Sequence, residues 1–209
     1  MIIAIDGAST DLSVALAALD GSSIDDEAWS TPFRQSGELL PRLLALLERN
    51  SRDFDDVSAL AVGTGPGSFT GLRVAMALAK GLAFALGRPI IGVPSLVAWL
   101  AAEPDAVAAL ARAGARDAYL LERAETQIRV VDRDDVAART EVVAAPAELA
   151  AVFELAGARS PRAASTIARL AAARLATQPG GDDLARLEPI YLRAPRGLTA
   201  SPEGAVKWL

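Results

Sequence analysis

The chain has 209 residues, 52% of them hydrophobic, with a net charge of −5, an isoelectric point near 4.9, no cysteine and no histidine. That length suits one large domain or two small ones, and the acidic balance argues against a protein that grips nucleic acid unaided, because phosphate binding needs a basic surface. The missing thiols exclude disulfides, zinc-thiolate sites and a thiol nucleophile; the missing imidazoles exclude Ser-His-Asp and Cys-His catalysis.

In chain order, Met1-Ile2-Ile3-Ala4-Ile5-Asp6 reads as a buried strand ending on a carboxylate, followed by a small-residue turn, Gly7-Ala8-Ser9-Thr10. With no basic stretch and apolar leader at the start, and no uncharged apolar run of membrane-spanning length, the expectation is a soluble cytoplasmic protein with no membrane partner. Leu12, Val14 and Leu16 continue a second strand, Asp20-Gly21 marks a hairpin, and residues 24–30 form a third, more polar strand, so that the first unit is an antiparallel meander. A helix is predicted over 38–49, where Leu39, Leu40, Leu43, Leu44, Leu46 and Leu47 cover more than one stripe. A strand at 57–62, a glycine-rich turn and a helix over 69–86, stopped by Gly87 and Pro89, come next, and then a short strand at 90–93 and a helix opening at Pro94-Ser95. Beyond residue 102 the pattern predicts an Ala-rich helix over 103–114, strands at 117–122 and 126–132, and helices near 146–156 and 161–177. A Pro-Gly-Gly-Asp-Asp loop at 179–183 leads to the closing stretch, and no short-period repeat stands out.

The glycine-rich turn carries the most information. Gly63, Gly65, Gly67 and Gly71, with Pro66 among them, sit at a strand-to-helix junction. Glycine there serves either a close approach of two backbones or a phosphate held on the N–H groups of the helix start. The run has neither the Gly-Lys-Ser/Thr ending of a Walker loop nor Gly-x-Gly-x-x-Gly spacing. The helix that it launches is apolar on nearly every side. Its small residues Gly71, Ala75, Ala79 and Ala83 recur every fourth position, and Arg73 and Lys80 are its only charges.

Three segments together resemble one family: Ile3 to Thr10, the run from Gly63 to Arg73 with its helix, and Pro189-Ile190-Tyr191-Leu192-Arg193 followed by Pro195 and Lys207. The family is TsaB (YeaZ), bacterial proteins of threonylcarbamoyladenosine synthesis on tRNA. The likeness is good over residues 1–100 and 189–195 and weak between. It implies an α/β fold of two RNase-H-like lobes, shared with sugar kinases, Hsp70 and actin: a βββαβα lobe at 1–102, a reduced second lobe at 103–193, and a surface tail at 194–209. It also implies a non-catalytic partner of a larger paralogue, TsaD, which transfers a carbamoyl group from threonylcarbamoyl-adenylate to N6 of adenosine 37 in tRNAs reading codons that start with A. A small ATPase, TsaE, would complete the complex; tRNA would be met only through it, and the chain alone would form a homodimer.

Departures from the family pattern bear on the sites. Gly7 follows Asp6 where the family has threonine, which removes one hydroxyl. Gln35-Ser36-Gly37-Glu38 stands where many members carry a histidine, and Glu122 to Arg129 is an eroded form of the segment Asp-Ala-Arg-x-Gly-Glu-Val-Tyr. Asp6 has two readings: a metal- and phosphate-facing acid, as in enzymes of this fold, or a turn residue whose carboxylate accepts the N–H groups of Ser9 or Thr10. Ser68 and Thr70 fit helix N-caps. A weak anion or nucleotide contact at Asp6, Ser9, Thr10, Gly65, Gly67 and Ser68 stays open, and with it the alternative of a phosphotransferase or ATPase; no resident cofactor or metal is expected. An all-carboxylate zinc site is set aside. The favoured site is an interface. Leu39, Leu43, Leu46 and Leu47 of the first helix are its candidates, with Gly71, Arg73, Ala75, Met76, Ala79, Lys80 and Ala83 of the second. A third layer supplied by the chain's own C-terminal residues is the alternative cover.

Overall fold

The computed structural model describes residues 1–30, 34–137 and 139–192. A first sheet contains β1 (Ile2–Asp6), β2 (Asp11–Ala17), β3 (Ser23–Ser30), β4 (Ala59–Gly63) and β5 (Ile90–Val93), in the spatial order β3-β2-β1-β4-β5. The first three strands form the expected antiparallel meander, β4 runs parallel to β1, and β5 runs parallel to β4. Between them lie α1 (Gln35–Arg49) after β3 and α2 (Phe69–Leu86) after β4, and α3 (Ser95–Ala102) follows β5.

The second sheet contains β6 (Ala108–Arg112), β7 (Asp117–Glu122), β8 (Arg129–Asp132), β9 (Val143–Ala144) and β10 (Ala158–Arg159), in the order β10-β9-β6-β7-β8. β6 is antiparallel to β7 and β7 to β8, whereas β9 runs parallel to β6 and β10 to β9. The first sheet's topology is thus repeated strand for strand. α4 (Ala147–Phe153) joins β9 to β10, and α5 (Ala164–Thr177) follows.

Strand periodicity divides the first sheet's two faces. Ile3, Ile5, Leu60 and Val62 pack with Leu39, Leu43, Leu46, Ala75 and Ala79 of α1 and α2, while Ile2, Ala4, Ala59 and Ala61 face Leu96 and Trp99 of α3 and Ile167 and Ala171 of α5. α2 is a clean helix: Ser68 Oγ accepts the Gly71 N–H at 3.2 Å, and Gly87 closes its C-terminus in the left-handed region, φ 62°. α2 is long and apolar enough to cross a bilayer by length and composition, though it carries Arg73 and Lys80, and its inner face lies on β1, β4 and β5.

The free edges of the first sheet are guarded by charge. On β3, Asp25 and Glu27 pair with Arg49 and Arg42 of α1. On β5, the Gly92 N–H donates to Asp182 Oδ2 (2.7 Å), Arg174 Nη1 donates to the Gly92 carbonyl (2.8 Å), and Arg174 and Asp182 pair at 2.6 Å. Side chains thereby occupy ladder positions that another strand could take.

Three expectations change. Residues 103–114 are not a helix: Ala108–Arg112 is the central strand of the second sheet. Alanine favours helix, but here Ala109 and Ala111 pack into one core and Ala108 and Leu110 into another, and burial on both faces overrides propensity. The first helix begins at Gln35, a turn before 38, with Pro41 inside it. α5, expected with the second lobe, lies on the first sheet, and residues 182–192 follow it there. The tail at 194–209, with Arg193, Pro195 and Lys207, lies outside the described residues.

Leu43 is fully buried beneath α1. Leu43→Ala should cost about 2–5 kcal/mol of unfolding free energy in urea titration, the usual range for a leucine cavity.

Candidate functional site

Asp6 ends β1 and is buried, 3% exposed. Its carboxylate faces neither solvent nor the hydroxyls of its own turn. Ser95 Oγ donates to Oδ1 and Trp99 Nε1 donates to Oδ2, both at 2.8 Å. Ser95 opens α3 and Trp99 stands one turn on, so both fall on one helix face. Ser95 Oγ also accepts the Gly65 N–H at 3.0 Å, and the Gly65 carbonyl accepts the Ser95 N–H at 2.9 Å. Burial pushes the Asp6 carboxyl above the usual carboxylate range, opposed by the hydrogen bonds from Trp99 and Ser95. Backbone N–H groups of Ala8 and Gly7 in its own turn also reach the carboxylate, so the turn reading holds with these donors in place of Ser9 and Thr10, and α3 supplies the rest.

The glycine turn is a packing joint. A Cβ on Gly67 would fall on the Ala8 carbonyl, one on Gly63 would fall on Asp6 Oδ1, and Gly7 and Gly71 exclude a Cβ from each other's backbone. The Ser68 N–H donates to the Ala8 carbonyl at 2.7 Å, so the start of α2 meets a peptide oxygen of the first turn where an anion would otherwise sit. Ser68 is the N-cap, Thr70 is exposed, and Gly65 takes φ 86°.

The second lobe closes over the first turn. Ser9 Oγ donates to the Asp11 carbonyl (2.9 Å) and accepts the Asp11 N–H (3.0 Å), which makes a local turn. Ser160 Oγ donates to Asp11 Oδ2 at 3.0 Å across the seam, and the Glu148 carboxylate of α4 accepts the Thr10 N–H. Burial raises the Glu148 carboxyl, the Asp11 charge adds to this, and the Thr10 N–H and Arg112 oppose it. In the second sheet the position matching Asp6 at the end of β6 is Arg112, whose Nε donates to the Gly114 carbonyl at 2.9 Å. No second acid stands there for a metal-bound phosphate.

The interface candidates divide by helix face. Leu39, Leu43, Leu46 and Leu47 of α1, and Gly71, Ala75, Met76, Ala79 and Ala83 of α2, are all buried in the chain's own core. The four-residue stripe marks the side of α2 that must lie close to the sheet and to Gly7. The outer face is another set: Leu40 and Leu44 of α1, 39% and 45% exposed, and Ala77, Gly81 and Phe84 of α2, the last 79% exposed. Only 33% of α2 is buried in the chain.

Arg73 and Lys80 are used by the chain's own C-terminal segment. Arg73 Nε donates to Tyr191 Oη at 3.0 Å while its guanidinium lies 3.9 Å from the Phe69 ring centroid, and Lys80 Nζ donates to the Leu187 carbonyl at 3.1 Å. The Ile190 N–H donates to the Thr64 carbonyl at 2.8 Å. Residues 182–192 therefore cover one flank of α2, which makes the third-layer alternative correct for that flank. Sequence reasoning missed Ser95, Trp99 and Glu148; the four-residue spacing of Ser95 and Trp99 after Pro94 was the signal available for the first two.

Two RNase-H-like sheets, the second with shortened helices, define a member of the actin-like α/β class whose seam is closed by its own side chains. Residues 34–179 match the family model described as TsaD: tRNA N6-adenosine threonylcarbamoyltransferase, and the chain belongs to that family, on its TsaB (YeaZ) branch. The TsaB protein of Escherichia coli, whose name refers to tRNA threonylcarbamoyladenosine biosynthesis, is 36% identical over 96 residues, which are 46% of this chain and 41% of the relative. The chain thus aligns with less than half of that protein's length. A tRNA N6-adenosine threonylcarbamoyltransferase of Solidesulfovibrio magneticus is 41% identical over 87 residues, 42% of this chain and 23% of that protein. The structure of YeaZ from Pseudomonas aeruginosa superposes with a TM-score of 0.70 at 27% identity, covering 91% of this chain and 99% of that one.

Asp6→Ala leaves the Ser95 hydroxyl and the Trp99 indole without their acceptor. It should cost about 2–6 kcal/mol, the sum of two unsatisfied buried donors, in chemical denaturation; an unchanged midpoint would overturn the anchoring role. Because the Glu148 carboxyl is raised in the fold, its ionised form opposes folding. The stability it contributes is complete below the ordinary glutamate pKa and is lost as pH rises through the raised value. Glu148→Gln should therefore match or exceed the parent's melting temperature at pH 7, and the difference should shrink towards pH 4. A variant less stable than the parent at pH 7 would contradict this.

Proposed function

We propose that the chain is a non-catalytic subunit of bacterial tRNA N6-threonylcarbamoyladenosine synthesis, stabilising and activating a TsaD-type transferase. The observation that carries this reading is the outer apolar face of α1 and α2. Leu40, Leu44 and Phe84 stand exposed around Ala77 and Gly81, on helices whose other faces are already packed. A contiguous apolar patch of this kind is stabilised by a protein partner. The likeness to named TsaB proteins and to the transferase family supports a paralogue as that partner, with a TsaE-type ATPase joining the larger complex, tRNA contacted through it, and a cytoplasmic setting. The same patch can serve a homodimer when the paralogue is absent, since a two-fold pair uses one surface twice. The closed seam, in which Asp6, the α2 start and the Thr10 N–H all have internal partners, favours this reading over a phosphotransferase or ATPase acting at Asp6.

Phe84→Asp places a charge on the face without touching the core. It should abolish copurification with the cognate TsaD-type paralogue and lower the modified adenosine formed by the reconstituted complex, with the monomer's melting temperature unchanged. Retained complex and retained modification would overturn the proposal.

A further inference from the structure

Past α5 the chain divides into a clamped part and a lightly held part. Residues 182–187 are clamped. The Asp182 N–H donates to the Ile90 carbonyl at 2.8 Å, the Asp182 carboxylate holds the Gly92 N–H and Arg174, and the Asp183 carbonyl accepts the Leu187 N–H at 2.9 Å. Leu187 lies over Gly92, its Cδ1 filling the place that a side chain there would need, and its carbonyl accepts Lys80 Nζ at 3.1 Å. The next stretch, Glu188-Pro189-Ile190-Tyr191-Leu192, belongs to no helix or strand, and Glu188, Tyr191 and Leu192 are exposed. Among the described residues its one backbone hydrogen bond runs from the Ile190 N–H to the Thr64 carbonyl, at 2.8 Å.

What this stretch covers is the start of α2. Tyr191 Oη accepts Arg73 Nε at 3.0 Å, and the Tyr191 ring lies 5.6 Å from that of Phe69. The Arg73 guanidinium stands 3.9 Å from the Phe69 centroid and 5.8 Å from that of Tyr191. Aromatic rings and arginine are the side chains enriched at protein interfaces. Phe69 and Arg73 stand where the exposed strip of α2 begins, and in the free chain Tyr191 occupies them. Releasing them breaks one backbone bond and one side-chain bond in a segment close to solvent, and such segments open locally at a fraction of the global unfolding free energy. Because Leu187 is fixed and Glu188 is exposed, a rotation at Glu188 lifts the stretch without disturbing the β5 edge.

We infer that residues 188–192 are an autoinhibitory strap, closed over Phe69 and Arg73 in the free chain and lifted when the outer face of α1 and α2 takes its partner. This rests on reading that face as a protein interface. The strap and the partner then compete for the start of α2. The apparent affinity of the face is the intrinsic affinity scaled by the fraction of molecules with the strap open, so any change that weakens the closed strap tightens the complex. The clamp at residues 182–187 keeps the strap beside its seat, which lets it close again as soon as the partner leaves.

Hydrogen–deuterium exchange on the full chain, alone and with the cognate TsaD-type paralogue, tests this. Alone, the Ile190 amide should exchange faster than the amides in the middle of α2. With the paralogue added, amides of α1 and α2 should slow while the Ile190 amide loses its protection. Slowing in α1 and α2 with Ile190 unchanged or slowed would overturn the strap and leave the interface standing. No slowing in α1 and α2 would overturn the interface, and the strap with it. A second measurement is independent of exchange. Tyr191→Phe keeps the ring and removes only the oxygen to which Arg73 Nε donates, so it should tighten capture of the paralogue about two- to tenfold, the range for one hydrogen bond. Unchanged or weaker capture would overturn the strap.

Discussion

A carboxylate buried at the end of a central strand is the constraint around which the first lobe is organised. An ionised or partly ionised acid removed from water is tolerable only with donors aimed at both oxygens. Asp6 obtains them from Ser95 and Trp99 of α3, and the same Ser95 hydroxyl accepts the Gly65 N–H. One acid thus ties together β1, the glycine turn after β4 and the helix after β5. Gly63 must lack a side chain because Asp6 Oδ1 occupies the space where a Cβ would be. The turn glycines accordingly serve close approach, and α2 leaves the sheet at an angle set by the contact of Gly67 and Ser68 with Ala8.

The same network bears on what the seam between the lobes can hold. A phosphate site in this fold class needs free N–H groups and acids facing the cleft. Here the Ala8 carbonyl lies at the α2 start, Glu148 accepts the Thr10 N–H, and the strand end matching Asp6 carries Arg112. A carboxylate and a peptide oxygen thus stand where a ligand's oxygens would be. The two lobes are thus joined across the seam by the chain's own side chains and backbone.

Much of this was legible in the sequence, because local patterns settle most of the first lobe. The meander was readable from alternation and from Asp20-Gly21, and α2 from its glycine start and Gly87 stop. The leucine count of α1 implied more than one apolar face; within the chain one of them is buried, and Leu40 and Leu44 stay exposed. What the pattern could not assign was which residues belonged to which face. The stripe Gly71, Ala75, Ala79 and Ala83 reads equally as a partner's seat or as the side against the sheet, and only the three-dimensional position of Gly7 decides it. Residues 108–112 were misread because an alanine strand buried on both sides has no polar alternation to reveal it. The partners of Asp6 are 89 and 93 residues away in sequence, and that of Arg73 is 118 away, beyond any local signal.

The C-terminal segment explains why the outer face is bounded as it is. Residues 182–192 guard the β5 edge through Asp182, cross the flank of α2 through Leu187 and Lys80, and end on Tyr191 against Arg73 and Phe69. The last two contacts spend polar groups of α2 on the chain itself, and what stays uncovered is the apolar strip from Val74 to Phe84 beside Leu40 and Leu44. Without that segment the strip would grade into a wider apolar surface on the flank of α2. With it, the strip is narrow and ends at one end on a guanidinium fixed by Tyr191 and Phe69.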